Sequence, residues 1–219
     1  SQEKEDRNIF TGSFGYIKFN EDMRFNIIIR SILNFKNRSE ISVASGHTLS
    51  GVAGLNLLHS STFSEVSTKS IDSVFSSTYK NYKINLSILS SATSDYYLRF
   101  RDGSGDVTTG AYDWKYMYAI SNATWVAHDN GANANKAEYI SGGGGNSNHY
   151  NGIFEIFNPN ETENTTFRYL GNRESGQFLI ASGGFAGTTQ FTGITFFNAS
   201  GTISGEIQIY GYKKWVNLM

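Results

Sequence analysis

The feature of this sequence that most restricts its fold is a repeated alternation of apolar and polar residues in its carboxyl-terminal two thirds. Tyr82, Ile84, Leu86 and Ile88 are separated from one another by single polar residues. Successive side chains of a β-strand point to opposite faces, so this period of two predicts a strand with one buried face. Comparable rows or short apolar runs occur at residues 96–101, 114–120, 153–157, 178–181, 191–197 and 203–212.

These predicted strands follow one another at about ten-residue spacing, with Gly, Ser and Asn between them, which is typical of a sandwich or barrel. No helical pattern alternates with them, which argues against a parallel α/β sheet. Aromatic residues make up 15% of the chain, which is too many for a disordered protein. The predicted fold class is therefore all-β: an antiparallel β-sandwich, jelly-roll-like.

The first sixty residues have a mixed character. Asn20 followed by Glu21 and Asp22 is typical of a helix start, and apolar residues then recur at helical spacing through residues 25–35. The alternation of apolar residues from Met23 leaves a strand open, but a short helix is favoured. We predict an attachment or oligomerisation segment at residues 1–60 and the β-sandwich at residues 61–219.

Composition excludes several classes of function. The formal net charge is −1, so no basic surplus points to nucleic acid or to an anionic membrane. No apolar run is long enough to span a bilayer. The chain has no cysteine, which excludes disulfides and thiolate metal sites. We predict neither a cofactor nor a metal.

Motifs of catalysis are also missing. The sequence contains no His-Glu-X-X-His and no Gly-X-Ser-X-Gly pattern. Glu155 and Glu206 could form a glycosidase pair, but carboxylates on the solvent face of two strands are favoured. Asp102 and Asp106 have a spacing similar to that of calcium ligands, but a plain hairpin loop is favoured because Val107 stands where glycine is needed. The sequence predicts a protein that is not an enzyme.

Two polar, Gly-rich stretches at residues 125–133 and 142–151 are predicted to be loops that bind a sugar. Each carries an aromatic ring, which can stack on the apolar face of a sugar, beside groups that can bond its hydroxyls. Burial in the core is the more common role of a tryptophan and remains open for the first ring. The candidate glycan-binding residues are Trp125, His128, Asp129, Asn130, His149 and Tyr150.

Several segments together resemble a known family. They comprise residues 54–55, 63–67, 74–84, 98–101, 154–159, 201–205 and 209–214. In this order they resemble the β-sandwich domains of tailed-bacteriophage virion proteins, in particular tail fibres and other host-facing appendages. The resemblance covers residues 54–214 and does not extend to the amino-terminal sixty.

The resemblance implies a non-enzymatic virion protein of the tail-fibre or receptor-binding type, with host surface glycans as candidate ligands. It also implies self-association as a homotrimer, contacts with other virion proteins and a location in the virion. Two alternatives stay open. One is a purely structural virion protein, such as a capsid decoration or connector component, and the other is a glycan depolymerase.

Overall fold

A computed structural model of the chain describes residues 14–17, 23–26, 54–121, 124–143, 149–173 and 177–213. The chain divides into two compact units, Ser1–Val52 and Ala53–Met219. No helix occurs in the described ranges, and thus none in them is long and apolar enough to cross a membrane.

The first unit contains an antiparallel pair of strands, β1 (Phe14–Ile17) and β2 (Met23–Asn26). The helix predicted from residue 20 onward is wrong at its start, because Met23 and Phe25 lie in β2. Strand pairing with β1 supplies hydrogen bonds that the local helical spacing could not anticipate. The remainder of the predicted helix lies outside the described residues.

The second unit is an antiparallel β-sandwich, which confirms the predicted fold class. The unit begins at Ala53, ahead of the predicted boundary at residue 60. Its strands are β3 (Leu55–Val66), β4 (Thr68–Ile71), β5 (Tyr79–Ser90), β6 (Ser94–Asp102), β7 (Gly105–Asp106), β8 (Tyr112–Ser121), β9 (Thr124–Ala134), β10 (Ala137–Gly143), β11 (Tyr150–Phe157), β12 (Thr165–Arg173), β13 (Gln177–Phe185), β14 (Gly193–Asn198) and β15 (Ile203–Lys213).

Two sheets form the layers of the sandwich. The large sheet has eight strands in the order β3-β15-β5-β11-β12-β13-β8-β9. The small sheet has the order β10-β6-β14-β4, with β7 paired to β6. All of these pairings are antiparallel. Residues that are in register on neighbouring strands project from the same face of the sheet.

The core lies between the inner faces of the two sheets and is largely aromatic. Tyr139 of the small sheet is fully buried against Phe154 and Tyr169 of the large sheet, with ring centroids 4.9 and 5.4 Å apart. The hydroxyl of Tyr112 accepts a hydrogen bond from the Phe100 amide at 2.9 Å and thereby ties the two sheets together. Within the described residues, aromatic side chains thus occupy many of the inward positions that the apolar alternation of the sequence predicted.

A candidate interaction surface on the large sheet

Of the two stretches predicted to be sugar-binding loops, residues 125–133 lie in a strand, and residues 142–151 are described only at their two ends. Residues 124–134 form β9, which is the edge strand of the large sheet beside β8, and Tyr150 begins β11. The Asn and Gly content of these stretches suggested loops, but pairing with a neighbouring strand determines their conformation. The loop prediction is therefore wrong for residues 125–133, 142–143 and 150–151, whereas His149 lies outside the strands.

Strand geometry separates the candidate residues of β9. Trp125 is in register with Ala119, and Asp129 is in register with Lys115, so both project from the outer face of the sheet. His128 projects from the inner side, where its ring stacks on that of Tyr116 with centroids 5.0 Å apart. Trp125 and His128 therefore project from opposite faces of the sheet and do not face one ligand together. The sequence had suggested that they would. The side chain of Asn130 lies outside the described residues.

Tyr150 belongs to the core. Its side chain is 0% exposed, and its ring lies 5.0 Å from that of Tyr96. Tyr150 is in register with Ile88, which is an inward position of β5. Its prediction as a sugar-stacking ring is wrong, because the alternation of β11 starts at this residue and points it inward.

His149, just before β11, is exposed and lies on the outer side of the sheet. Its Nδ1 is 3.3 Å from the Ser87 hydroxyl, and its carbonyl accepts a hydrogen bond from the Asn172 amide at 3.0 Å. These contacts place His149 beside polar groups of β5 and β12. The fold brings it to the same face as Trp125, but beside β11, which is four strands away from β9 in the sheet.

An apolar row crosses the outer face of the large sheet. Ile153, Leu170, Ile180 and Met117 are consecutive register partners on β11, β12, β13 and β8. Their exposed fractions are 39%, 52%, 36% and 36%. With neighbouring strands about 4.8 Å apart, this apolar row extends roughly 14 Å across the sheet.

Further exposed apolar side chains lie on the same face. The rings of Trp125 and Phe178 meet edge to face with centroids 6.4 Å apart. At the other end of the sheet, Leu55 and Leu57 are in register with outward residues of β15. All eight large apolar side chains that the described residues expose therefore project from one face of one sheet.

A second row, here called the charged row, lies parallel to the apolar row and is displaced from it by two residues in each strand. It contains five charged residues and one serine. In strand order from β5 to β9 it consists of Lys83, Glu155, Arg168, Ser182, Lys115 and Asp129. Two residues along a strand correspond to about 7 Å, so the two rows are adjacent. The outer face thus combines an apolar strip with a border of charges.

Glu155 is the most strongly bonded member of the charged row. It accepts hydrogen bonds from Arg168 Nε and, at 3.0 Å, from the Tyr212 hydroxyl. The hydrogen bond from Arg168 is the main cause that lowers the pKa of Glu155 below its ordinary value, with a smaller contribution from Tyr212. The carboxylate is therefore held ionised on the outer face.

The outer face is concave. A cavity of about 1060 Å³ opens on it, and its lining includes Lys83, Met117, Ile153, Leu170 and Ile180. The lining thus contains the whole apolar row and the whole charged row. A cavity of this size accommodates side chains of a partner as well as a small ligand.

The described residues do not assemble the catalytic pair that the sequence suggested. Glu155 and Glu206 lie on β11 and β15, with β5 between them, and Glu206 is in register with Ser87 and Asn151. Strand spacing and rise place their backbones roughly 16 Å apart, beyond the separation used by glycosidases. Asp102 and Asp106 lie in the hairpin of β6 and β7. Within the described ranges, no three His, Asp or Glu side chains are grouped to hold a metal ion.

Comparison with known proteins gives one partial match. Residues 1–50 match the family model of the chorismate binding enzyme. This match covers 50 of 219 residues and ends before the sandwich unit, so it does not assign the chain to that family. No curated protein and no solved structure matches the chain at a significant level.

The match contradicts the resemblance to tailed-bacteriophage virion proteins, because it points to a family of metabolic enzymes. That resemblance is wrong. The tail-fibre or receptor-binding function inferred from it is wrong as well, and so are its two alternatives, the purely structural virion protein and the glycan depolymerase. The match also runs against the predicted lack of catalysis, although only weakly, since it is confined to fifty residues.

The apolar row was not predicted from the sequence, although the sequence carries a signal for it. Each of its four residues stands directly beside an inward apolar residue, as Ile180 stands beside Leu179 and Met117 beside Tyr116. Such doublets break the apolar–polar alternation in four strands that prove to be neighbours. A strand that is apolar on both faces is covered on both faces in most proteins.

Proposed function

We propose that the β-sandwich unit is a binding domain and that the outer face of its large sheet recognises a protein. The observation that carries this proposal is that all eight large apolar side chains exposed by the described residues project from that face, six of them grouped on the five strands from β11 to β9. Contiguous exposed apolar patches with a polar border mark interaction sites, since soluble proteins otherwise avoid them.

The small sheet provides an internal comparison. Its outer face also carries rings, but the protein covers them with its own cations: Lys136 Nζ lies 3.5 Å from the ring centre of Tyr97, and the Arg99 guanidinium lies 4.8 Å from that of Phe197. The apolar row of the large sheet has no comparable cover among the described residues, with Leu170 still 52% exposed. This contrast favours the large sheet as the face that a partner covers.

The chemistry of the face favours a protein over a sugar. Sugar sites rely on flat rings with hydroxyl-binding groups. The centre of this face is formed instead by the non-aromatic side chains of Ile153, Leu170, Ile180 and Met117, and the rings of Trp125 and Phe178 lie to one side of them. Aliphatic side chains surrounded by charges form the core and rim of protein interfaces.

Cross-linking tests this proposal. Because the chain has no cysteine, the variant Ile180→Cys carries a photoreactive maleimide at a single position in the outer face. After mixing with an extract of the source cells and illumination, we expect one product of defined mass. Adding Leu170→Glu should reduce its yield about tenfold through loss of apolar contact.

The matched control is the same label on Ser104→Cys, an exposed position in the β6–β7 turn, together with Glu163→Lys in place of Leu170→Glu. Equal products from both labelled positions, or a product insensitive to Leu170→Glu, would show that the outer face is not a recognition surface.

A further inference from the structure

The charged row has a pattern that predicts which protein covers the face. Glu155 and Lys115 are equidistant from the boundary between β12 and β13, and so are Lys83 and Asp129. Each of these pairs joins opposite charges. If the order of the charged row is reversed about that boundary, each charge of these two pairs therefore meets a charge of the opposite sign.

We propose that the partner is a second copy of this chain, related by a two-fold axis that runs along the strands between β12 and β13. This inference rests on the proposed function of the outer face. Rotation about such an axis keeps each row at its own height and reverses the strand order. It places Lys83 opposite Asp129 of the second copy and Glu155 opposite its Lys115.

The same rotation aligns the apolar residues. Leu170 comes to face Ile180 of the second copy, and Ile153 comes to face its Met117. Each apolar row is then buried by the other, at the spacing of about 10 Å that stacked sheets adopt.

Sheet shape is compatible with this arrangement. A twisted sheet is a saddle, and rotation by 180° about an axis along its strands carries the saddle onto a surface parallel to itself. The two sheets can therefore follow each other's twist across the interface. The interface is isologous and closes as a pair, so the homotrimer predicted from the sequence, which stays a prediction, would need another surface.

Charges that form no close ion pair support a charged partner of this kind. Among the described residues, no ion pair involves Lys83, Lys115 or Asp129. All three border the apolar row, so a partner that buried the row without opposing charges would desolvate them at a cost.

Charge-reversal variants, prepared as separate chains, test whether Lys83 faces Asp129 of the second copy. The full chain is measured by sedimentation equilibrium up to about 100 μM, which detects weak pairs. Unmodified chain should be dimeric. Lys83→Glu alone and Asp129→Lys alone should each weaken association more than tenfold, because each homodimer then brings like charges together at both symmetric contacts.

An equimolar mixture of the two variants is the decisive sample. In the mixed dimer, Glu at position 83 meets Lys at position 129, and the other contact is unchanged, so association should return to within about threefold of the unmodified value. Glu163→Lys, a reversal in the loop after β11, is the control and should dimerise normally. Thermal unfolding first confirms that every variant is folded.

Two results would overturn the second-copy proposal. One is an unmodified chain that stays monomeric, and the other is a dimer whose mixture of variants associates no better than either variant alone. If Ile180→Cys then captures a different protein in a Leu170-dependent manner, the recognition surface stands and only its occupant was wrong. If it captures none, both proposals fail.

Discussion

Arg168 in β12 donates a hydrogen bond through Nε to Glu155, its register partner in β11, on the outer face of the large sheet. Glu138, by contrast, is half buried at β10, where it accepts a hydrogen bond from the Tyr116 hydroxyl at 2.9 Å. Burial raises the pKa of Glu138 above its ordinary value, mainly through desolvation, whereas the Arg168 contact lowers that of Glu155. The two carboxylates therefore contribute to stability with opposite signs.

We expect Glu155→Gln to lower the free energy of unfolding at pH 7 by about 0.2–1 kcal/mol, the range of exposed ion pairs. A lowered pKa in the folded state gives stability that is present above the unfolded pKa of about 4.3 and is lost as pH falls through the folded value. The effect of the substitution should therefore shrink below about pH 4. Urea unfolding at a series of pH values measures it. A constant effect down to the acid limit would contradict the electrostatic explanation.

Glu138→Gln should have the opposite effect and raise the free energy of unfolding at pH 7. Its raised folded pKa means that ionisation costs more in the folded state than in the unfolded chain, so the penalty is present at neutral pH and disappears as pH falls below the unfolded pKa. The amide oxygen of Gln can still accept from Tyr116. The same urea series provides the measurement, and Glu155→Gln is the matched control. Destabilisation at pH 7 would show that the ionised carboxylate is better accommodated than its burial indicates.

Tyr139→Phe should stabilise the domain by about 1 kcal/mol, because the buried Tyr139 hydroxyl finds no hydrogen-bond partner among the described residues. Tyr112→Phe is the control. The Tyr112 hydroxyl accepts from the Phe100 amide and donates to the Val107 carbonyl at 3.0 Å. Its removal should cost about 1–3 kcal/mol, because it leaves the Phe100 amide unbonded. Chemical denaturation of both variants gives the comparison, and equal losses would mean that Tyr139 has a partner, such as an ordered water.

Leu170→Ala should change the free energy of unfolding of the isolated domain by less than about 0.5 kcal/mol, because its side chain faces solvent. Leu179→Ala, one strand away and fully buried, should cost about 2–5 kcal/mol. The measurement must be made at a protein concentration low enough to suppress association. A large cost for Leu170→Ala in the monomer would mean that this residue serves the fold and is not part of a binding surface.

The strands of this domain could be predicted because their inward positions follow period two within a few residues. Tyr82 to Ile88 is such a row, and all of it lies in β5. β9 could not be predicted in the same way. Its Asn, Asp and Gly residues have low strand propensity, and it is held by pairing with β8. Gly152 in turn hides the alternation that would have placed Tyr150 in the core.

The candidate site was predicted less well than the fold, since it depends on sheet order. Ile153, Leu170 and Ile180 become neighbours through consecutive hairpins, but Met117 joins them only because β8 pairs with β13. No local pattern specifies that pairing. Of the residues proposed for sugar binding on β9, Trp125 and Asp129 share the outer face because they are an even number of residues apart. His128 is an odd number of residues from both and projects from the inner side.

Alternation in β8, β11, β12 and β13 separates two sets of residues that are adjacent in the chain. Tyr116, Phe154, Tyr169 and Leu179 fill the core, while the residue next to each of them faces outward. A combinatorial library at positions 117, 153, 170 and 180 would thus vary the binding specificity and leave every core side chain in place. Over evolution, the same separation would let the outer face change while the core that supports it stays constant.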